Sequence, residues 1–479
     1  MIEINLVQDW GIDTSNSPTQ NTDIFNSNFN ATFPNSNKDK YRLYLQPGTY
    51  DFDLLRFGVS STTLHGLQFI GSGIGRTTIK FSNNSHTFFL VRQLKDFLIS
   101  DISIDGSNAI FEGGIWVKNK CENGILERIE VYDANTVSCV VTGNNTQNIL
   151  VRDCQVYNQR QWPKNAKAMF LAGENAEHIT FENCKTLSRS KDGTKHSKAD
   201  HFDSDNARYI QYVNCVANGE GSVGGAGFWN EGQGSGETIS SYYGCTTYKT
   251  HGGLAISQNS TARAFNMTFI ESSSSGWTVW TLGGQSKGYL LLNDGLFKRC
   301  GGTATNFRSG GIHIERNTII NNCRFIDTPS GSFNISSYSP GDVLSNDTYA
   351  KISNCYFDKG IKIHSPGLND GPTVRNFSIE NCVFKPNADF NVGSNARKYR
   401  IIVKGCGFEN TGINIKNVTN IRLLNNTFYN TQGGSTPAIK TIDNVSGLVQ
   451  SNVFSGYSSS NVINSSGQPH QLQLDHNLF

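Results

Sequence analysis

One short phrase recurs along this chain, and its spacing constrains the fold more than any other feature. The phrase has apolar residues on both sides of an Asn-Cys pair, as in FSIENCVF, ISNCYF and INNCRF. Asparagine replaces the cysteine in LNNTF at Leu424–Phe428. Successive Cys or Asn markers are 30, 31 and 30 residues apart from Cys154 to Cys245, and 27, 24, 20 and 26 apart from Cys355 to Asn452. A period of this size, held by one small inward residue, predicts stacked repeats.

A second phrase, in which apolar and polar residues alternate after a glycine, precedes the first in most repeats. It occurs at Gly114–Asn119, Gly311–Asn317, Gly360–Ile363 and Gly412–Asn417. Alternation with a period of two is typical of a β-strand with one buried face. Each repeat therefore holds two or three short strands, and it is too short to hold helices as well. Stacked units of this kind form a β-solenoid with parallel strands.

From about residue 60 onward, the two phrases resemble the right-handed parallel β-helix of the pectate-lyase-like superfamily. In that superfamily a bend asparagine forms a ladder along the stack, and Cys and Asn alternate here at the matching point. The resemblance implies an all-β, single-stranded right-handed parallel β-helix. We predict that residues 61–479 form this domain and that residues 1–60 form an opening and capping segment. A short capping helix is expected there, starting near Thr22 or Asp23.

Charge and terminal sequence limit the classes of partner. The chain has 41 Lys and Arg against 39 Asp and Glu, a net charge of +2, so no strong field attracts nucleic acid or an anionic membrane. No apolar run approaches the length of a membrane span. The first residues, MIEIN, lack the basic and apolar regions of a signal peptide. By its resemblance the protein is expected on a virion (a phage tail) or outside the cell, without use of a signal peptide.

The cysteines belong to the repeat. Nine of the eleven occupy the marker position. Because asparagine replaces cysteine there without disturbing the spacing, a ladder of small buried thiols explains the pattern better than disulfides. A Cys-x-x-Cys motif is absent, which removes the usual zinc site.

The candidate site lies where the repeat is least regular, because a solenoid accepts insertions at its bends and these usually build the binding surface. We predict a functional groove around 195–320. In a strand of the second phrase, the residues between the apolar ones face outward. We aligned the corresponding strands by the asparagine that ends them. The outward residues then include His201, Asp203, Trp229, Glu231, Trp280, His313 and Glu315.

Paired carboxylates beside aromatic rings suit carbohydrate chemistry. One carboxyl group protonates the glycosidic oxygen, and the other activates water or attacks the anomeric carbon. We predict Asp203 and Glu231 as this catalytic pair, with Asp205 and Asp200 beside them. Adjacent strands would separate two carboxylates by about 5 Å, and strands one apart by about 10 Å. Crowding of the three aspartates is expected to raise the pKa of at least one.

Aromatic, histidine and charged side chains complete the predicted site. The substrate-binding candidates are His201, Trp229, His251, Trp280, His313, Glu315 and Arg316. Explanations without a role in binding or catalysis also fit these residues. Each aspartate also suits a turn, a lone histidine on a β-helix is usually a surface or bend residue, and the last three candidates suit either an acidic sugar or pairing with one another.

The function implied by the resemblance is that of a phage tailspike-type depolymerase, which hydrolyses a bacterial surface or extracellular polysaccharide. No cofactor or resident metal is expected, and such spikes are usually homotrimers. Two alternatives remain. One is a polysaccharide lyase, with Ca²⁺ held by Asp200, Asp203 and Asp205. The other is a spike that binds glycan without cleaving it.

Overall fold

The fold is an all-β parallel β-solenoid with one helix near the N-terminus. The structure, a computed structural model, describes residues 1–33, 40–58, 63–82, 86–108, 111–134, 138–157, 168–189, 199–220, 225–232, 236–272, 278–281, 288–300, 312–314, 317–327, 333–336, 349–358, 361–364, 376–385, 390–393, 400–433, 436–466 and 470–479. These residues form two compact units, Met1–Thr250 and His251–Phe479. No helix in this part of the chain is long and apolar enough to cross a membrane.

The first unit consists of 24 strands and one α-helix within the described ranges. The strands are β1 Ile2–Asn5, β2 Tyr41–Tyr44, β3 Gly48–Phe52, β4 Leu55–Phe57, β5 Leu64–His65, β6 Leu67–Ile70, β7 Thr77–Phe81, β8 His86–Arg92, β9 Leu94–Lys95, β10 Leu98–Asp105, β11 Phe111–Lys118, β12 Glu122–Tyr132, β13 Cys139–Thr142, β14 Gln147–Arg152, β15 Gln155–Tyr157, β16 Ala168–Gly173, β17 Glu177–Glu182, β18 Lys185–Leu187, β19 Asp200–Asp205, β20 Ile210–Val213, β21 Val216–Asn218, β22 Ala226–Gly232, β23 Thr238–Tyr243 and β24 Thr246–Tyr248.

The helix α1, Pro18–Thr32, is the predicted helix near the N-terminus, but its start differs from the prediction. The N-cap is Ser17, not Thr22 or Asp23. The Ser17 hydroxyl accepts the amide proton of Gln20, and the Gln20 side chain accepts the amide proton of Ser17 in return. This capping box, followed by proline at the first helical position, fixes the start of the helix. Thr22 instead lies inside the helix, where its hydroxyl accepts the amide proton of Asp53.

Every strand pair of the first unit is parallel, and the strands form two sheets. Sheet B holds one strand from each coil, in the order β4, β8, β11, β13, β16, β19 and β22. Sheet A forms two parallel rows that bend into one another, β14–β17–β20–β23 and β15–β18–β21–β24. Side chains from both sheets fill the interior, where Phe202 stacks between Phe170 and Phe228 with ring centroids 5.1 and 4.9 Å apart.

The Asn-Cys phrase forms the bend between the two rows of sheet A. Its asparagine adopts a left-handed backbone conformation, with φ of 52° at Asn183 and 51° at Asn214. Asparagine tolerates this region better than most residues, which explains its place at the bend. The cysteine that follows points inward, and its thiol donates to a backbone carbonyl of the preceding coil, as from Cys184 to Val151 at 3.4 Å.

The second unit contains the remaining strands of the described ranges. They are β25 Gly252–Gln258, β26 Ser260–Phe265, β27 Thr268–Ile270, β28 Val279–Thr281, β29 Tyr289–Asn293, β30 Leu296–Lys298, β31 Ile312–Ile314, β32 Asn317–Asn321, β33 Arg324–Ile326, β34 Phe333–Ser336, β35 Tyr349–Ser353, β36 Tyr356–Phe357, β37 Ile361–His364, β38 Asn376–Glu380, β39 Val383–Phe384, β40 Phe390–Gly393, β41 Arg400–Lys404, β42 Gly407–Glu409, β43 Ile413–Lys416, β44 Thr419–Leu424, β45 Thr427–Tyr429, β46 Ile439–Ile442, β47 Ser446–Gln450, β48 Val453–Ser455, β49 Ile463–Ser466 and β50 Gln471–Asp475, with a short 3₁₀-helix at Ser459–Asn461.

In the second unit cysteine and asparagine make equivalent contacts at the marker position. The Cys406 thiol donates to the Ile379 carbonyl at 3.7 Å, and the Asn426 amide donates to the Val403 carbonyl, one coil further on, at 3.0 Å. The Asn426 side-chain oxygen also accepts the amide proton of Cys406 at 2.9 Å. Cysteine and asparagine therefore donate a hydrogen bond to the equivalent backbone carbonyl of the preceding coil. This confirms the predicted equivalence and explains why the spacing is kept when asparagine replaces cysteine.

We expect the thiols of the folded protein to be unreactive. All eleven cysteines are free and buried. Burial raises the pKa of Cys121 to about 11 and holds the pKa of Cys184 well above its usual value, so little thiolate forms at pH 8. A thiol-reactive chromogenic disulfide should therefore detect fewer than one thiol per native chain and eleven in denaturant. Rapid labelling of several thiols in the native protein would contradict this buried ladder.

Candidate functional site

The candidate site lies on the outward face of sheet B in the first unit. Two columns of in-register residues run across its strands. The first column is Trp116, Val140, Leu171, Asp203 and Trp229, and the second is Lys118, Thr142, Gly173, Asp205 and Glu231. The alternate residues of the same strands, such as Phe202 and Ser204, are fully buried in the interior. Strand alternation therefore places both columns on one outer face.

The register corrects one expectation about the carboxylates. Glu231 lies opposite Asp205, whereas Asp203 lies opposite Trp229. In-register residues are about 4.8 Å apart and diagonal ones about 7–8 Å apart, so Asp203 and Glu231 form a diagonal pair. Trp229 joins this pair, because its indole Nε1 donates to Glu231 Oε2 at 3.2 Å. The Glu231 carboxylate is thus held beside the tryptophan that faces Asp203.

Asp200 differs chemically from an ordinary surface carboxyl group. Burial, with a smaller contribution from the nearby Glu231 carboxylate, raises its pKa to about 7, although a hydrogen bond from the Ala226 amide, at 2.5 Å, opposes the rise. The residue before Ala226 has to be glycine. The φ of Gly225 is +111°, and a Cβ at this position would lie 2.1 Å from the Ala199 carbonyl oxygen. One of the three aspartates thus has a raised pKa, as expected, but the expected cause is wrong: burial raises it, and the charge that adds to the rise is that of Glu231 and not that of Asp203 or Asp205.

A buried polar network lies directly behind the carboxylates. The Ser204 hydroxyl lies 2.8 Å from the Tyr212 hydroxyl, which donates to the Asp203 carbonyl at 3.1 Å. The Ser240 hydroxyl contacts both Ser204 Oγ and Asn230 Oδ1 at 3.1 Å. These bonds tie β19 and β22 of sheet B to β20 and β23 of sheet A. Satisfied buried networks of this kind fix local register and rigidity.

The structure places His201 inside the unit, so the prediction that it faces outward is wrong. His201 is fully buried, with Nδ1 2.6 Å from the Thr186 hydroxyl and Nε2 3.0 Å from the Ser188 hydroxyl. Burial lowers its pKa to about 3, so the ring is neutral. Consecutive residues from His201 to Ser204 are all buried, so the simple alternation of the strand fails at its start. His201 thus supports β19 from within the unit.

The other binding candidates belong to the second unit or lie outside the described residues. His251 is half-buried, and burial lowers its pKa. Trp280 is half-buried on β28, in register with Ala255 and with His313 on β31. Glu315 and Arg316 lie outside the described residues. Their predicted roles in binding stay predictions.

The carboxylates do not fit the calcium site considered as an alternative. Asp200, Asp203 and Asp205 follow one another along a single strand. Ca²⁺ takes six to eight oxygen ligands that converge on one point. Among the described side chains, no group of three His, Cys, Asp or Glu residues is arranged to hold a metal ion. The three aspartates therefore do not suit Ca²⁺ as a set of ligands.

Several residues near the site were not singled out from the sequence. Ser204, Tyr212, Asn230 and Ser240 form the inner network, and Gly173 stands beside Asp205 without a side chain. Polar residues at inward strand positions are the signal that could have revealed the network, because buried polar groups require partners.

Among known proteins, similarity to this chain is found in solved structures. No protein-family model matches this sequence, and neither does any curated protein. Three similar solved structures are the A-module of mannuronan C-5 epimerase AlgE6 from Azotobacter vinelandii (13% identity, 99% of this chain and 98% of that chain, TM-score 0.35), the catalytic domain of a GH87 α-1,3-glucanase in complex with nigerose (12%, 86% and 66%, 0.42) and ORF18 of Geobacillus virus E2 (14%, 79% and 61%, 0.38). Similarities this weak do not identify the reaction that this protein catalyses.

Proposed function

We propose that this protein is a glycan depolymerase that hydrolyses a bacterial surface or extracellular polysaccharide. The observation that supports this most is the outward face of β19 and β22, on which Asp205 and Glu231 lie beside Trp229 and Asp203 is 8% exposed. Carboxylates on neighbouring strands provide the acid and base that glycoside hydrolysis needs, and an indole face stacks on a sugar ring. Homotrimer formation and a place on a virion or outside the cell remain predictions.

The proposed roles follow from the environment of each carboxyl group. Asp200, with a pKa of about 7, retains the proton that the leaving glycosidic oxygen needs. Glu231, oriented by the Trp229 indole, accepts a proton from the attacking water. Asp203 lies on β19 between Asp200 and the residue opposite Glu231, and its negative charge stabilises the positive charge that develops at the anomeric carbon.

The test is incubation of the protein with capsular and extracellular polysaccharides. New reducing ends without ultraviolet absorbance of an unsaturated sugar indicate hydrolysis, which is the expected result. Absorbance near the ultraviolet band of unsaturated uronates would instead establish elimination. Binding without either product would establish a glycan-binding spike. Either of the last two outcomes would overturn the hydrolase proposal.

We expect activity to fall as the pH rises through about 7. The folded-state pKa of Asp200 is raised to about 7, so the protonated acid is present below this pH and is lost above it. The measurement is the pH profile of kcat/KM, whose alkaline limb should lie near 7. Asp200→Asn cannot supply a proton and should lower kcat by about 100-fold or more, with no alkaline limb near 7. An unchanged alkaline limb in this variant would assign the proton donor to another group.

A further inference from the structure

The outward face of sheet B becomes basic toward β4, away from the carboxylates. The first column continues from Trp116 through Leu90 to Arg56, and the second continues from Lys118 to Arg92. Arg56, Arg92 and Lys118 therefore lie on the face that carries Asp203, Asp205 and Glu231 at its other end. The two ends have opposite charge, and Trp116 lies among the basic residues.

Trp116 is held in a fixed position at the basic end. Its indole Nε1 donates to the Thr142 hydroxyl at 2.8 Å, which anchors the ring edge to the neighbouring strand. The Lys118 ammonium lies 3.6 Å from the ring centroid, within cation–π range. The Lys118 ammonium over this ring is thereby held in a fixed position, where it suits a sugar that carries a negative charge.

The two arginines differ from most arginines of this unit. Arg128, Arg152 and Arg208 each pair with a carboxylate, whereas no ion pair between described residues involves Arg56 or Arg92. The Arg56 Nε is a buried donor without a hydrogen-bond partner among the described groups. A buried donor without a partner is costly, so the Arg56 guanidinium is not held by described protein acceptors at this nitrogen. The guanidinium group suits a carboxylate because it presents two parallel donors.

Apolar side chains connect the basic end with the carboxylates. Val140 and Leu171 lie between Trp116 and Asp203 in the first column and are 6% and 7% exposed. With Ala168 they form a cluster on which Trp116 packs. Three strand spacings, about 14 Å, separate Trp116 from Asp203. A glycan chain that crosses the strands along the columns would reach both ends of this surface.

We propose that Arg56, Arg92, Trp116 and Lys118 form a subsite for a carboxylate-bearing sugar of the same glycan that the acidic end cleaves. The inference rests on the proposed function and narrows the substrate class to acidic polysaccharides. The glycan lies perpendicular to the strands, with the carboxylate of an acidic sugar beside Lys118 and the two arginines and the scissile bond near Asp203 and Glu231.

The experiment measures binding separately from cleavage. The full chain carrying Asp203→Asn and Glu231→Gln is titrated with alginate, hyaluronan and polygalacturonate, and with the same polymers after chemical reduction of their carboxyl groups to alcohols. Sulfated dextran and neutral dextran test whether another anion suffices. We expect binding of at least one native acidic polymer, at least tenfold weaker binding of its reduced form, and weaker binding in 0.5 M NaCl.

Two variants and a control locate the subsite. Arg92→Gln and Lys118→Met, introduced into the same protein, should each weaken binding of the acidic polymer about tenfold and reduce its salt dependence. Lys185→Gln removes a charge from an exposed position on sheet A of the same unit and should leave the affinity unchanged. Thermal unfolding of each variant confirms that the fold is retained.

The outcomes separate this inference from the proposed function. Equal affinity for native and reduced polymers, preference for sulfated dextran, no binding of any acidic polymer, or unchanged affinity in both variants would overturn the subsite. Cleavage of a neutral polysaccharide that depends on Asp203 would overturn the subsite and leave the hydrolase proposal intact. Carboxylate-dependent binding without cleavage by the unmutated chain would retain the subsite and overturn the hydrolase.

Discussion

Replacing Asp203 by asparagine, or Glu231 by glutamine, is expected to lower kcat for polysaccharide cleavage about 1000-fold, or about 4 kcal/mol of transition-state stabilisation. Each change keeps the size of the side chain and removes its charge. KM should change little, because the indole of Trp229 and the rest of the outward face remain. The measurement is the rate of reducing-end formation at saturating substrate, with thermal unfolding as a check that the fold is retained.

Glu182→Gln is the matched control for this experiment. Glu182 is a half-buried carboxylate at the end of β17 on sheet A, in register with Arg152 and Val213. Its replacement should leave kcat within about twofold of that of the unmutated protein, since substitutions at the surface and outside the site usually have small effects. Cleavage that survives both Asp203→Asn and Glu231→Gln would show that the reaction occurs elsewhere on the chain.

Replacing Asn452 by alanine is expected to lower the free energy of unfolding by about 3 kcal/mol, because several buried groups lose their partners. The Asn452 amide donates to the Leu423 carbonyl at 2.9 Å and to Asn477 Oδ1 at 3.1 Å, and its Oδ1 accepts the Asn426 amide proton at 2.9 Å. The residue is fully buried, so water cannot replace these bonds. The measurement is the urea-unfolding curve of the full chain by circular dichroism.

Cysteine at the same position should be much better tolerated. Cys406 and Cys382 donate to the corresponding carbonyls, so Asn452→Cys keeps a donor for Leu423 and should cost about 1 kcal/mol. The exposed Asn464 on β49 serves as control, and its replacement by alanine should cost less than about 0.5 kcal/mol. Equal destabilisation by alanine and cysteine at position 452 would mean that the two markers are not equivalent.

The fold could be predicted because one rule operates in almost every coil. The residue before each marker needs a left-handed backbone, and the marker itself needs a small inward donor, so Asn-Cys and Asn-Asn recur at a visible spacing. The start of α1 was harder to predict. Ser17, Pro18 and Gln20 form a full capping box, yet Thr22 and Asp23 are equally ordinary cap residues when read alone.

For the candidate site, the strands that carry the carboxylates could be predicted, but their register could not. We aligned the strands by their last asparagine, and asparagine has two roles here. Asn206 adopts a left-handed conformation after β19, whereas Asn230 is a buried residue within β22 whose Oδ1 accepts from Ser240. An alignment that matches Asn206 with Asn230 sets Asp205 opposite Trp229 and so misses the true pairing of Asp205 with Glu231. The burial of His201 also breaks the alternation on which the outward assignment depended.

The hydroxyl groups behind β19 and β22 have a consequence for the reaction itself. A slip of β22 by two residues would keep every side chain on its own face but would set Glu231, the proposed base, opposite Asp203 and change its distance from Asp200, the proposed acid. The distance between acid and base determines whether a glycosidase inverts or retains the anomeric carbon. Ser204, Tyr212 and Ser240 oppose such a slip from within the unit. The anomer that such an enzyme releases would thus be determined by side chains that no sugar ever reaches.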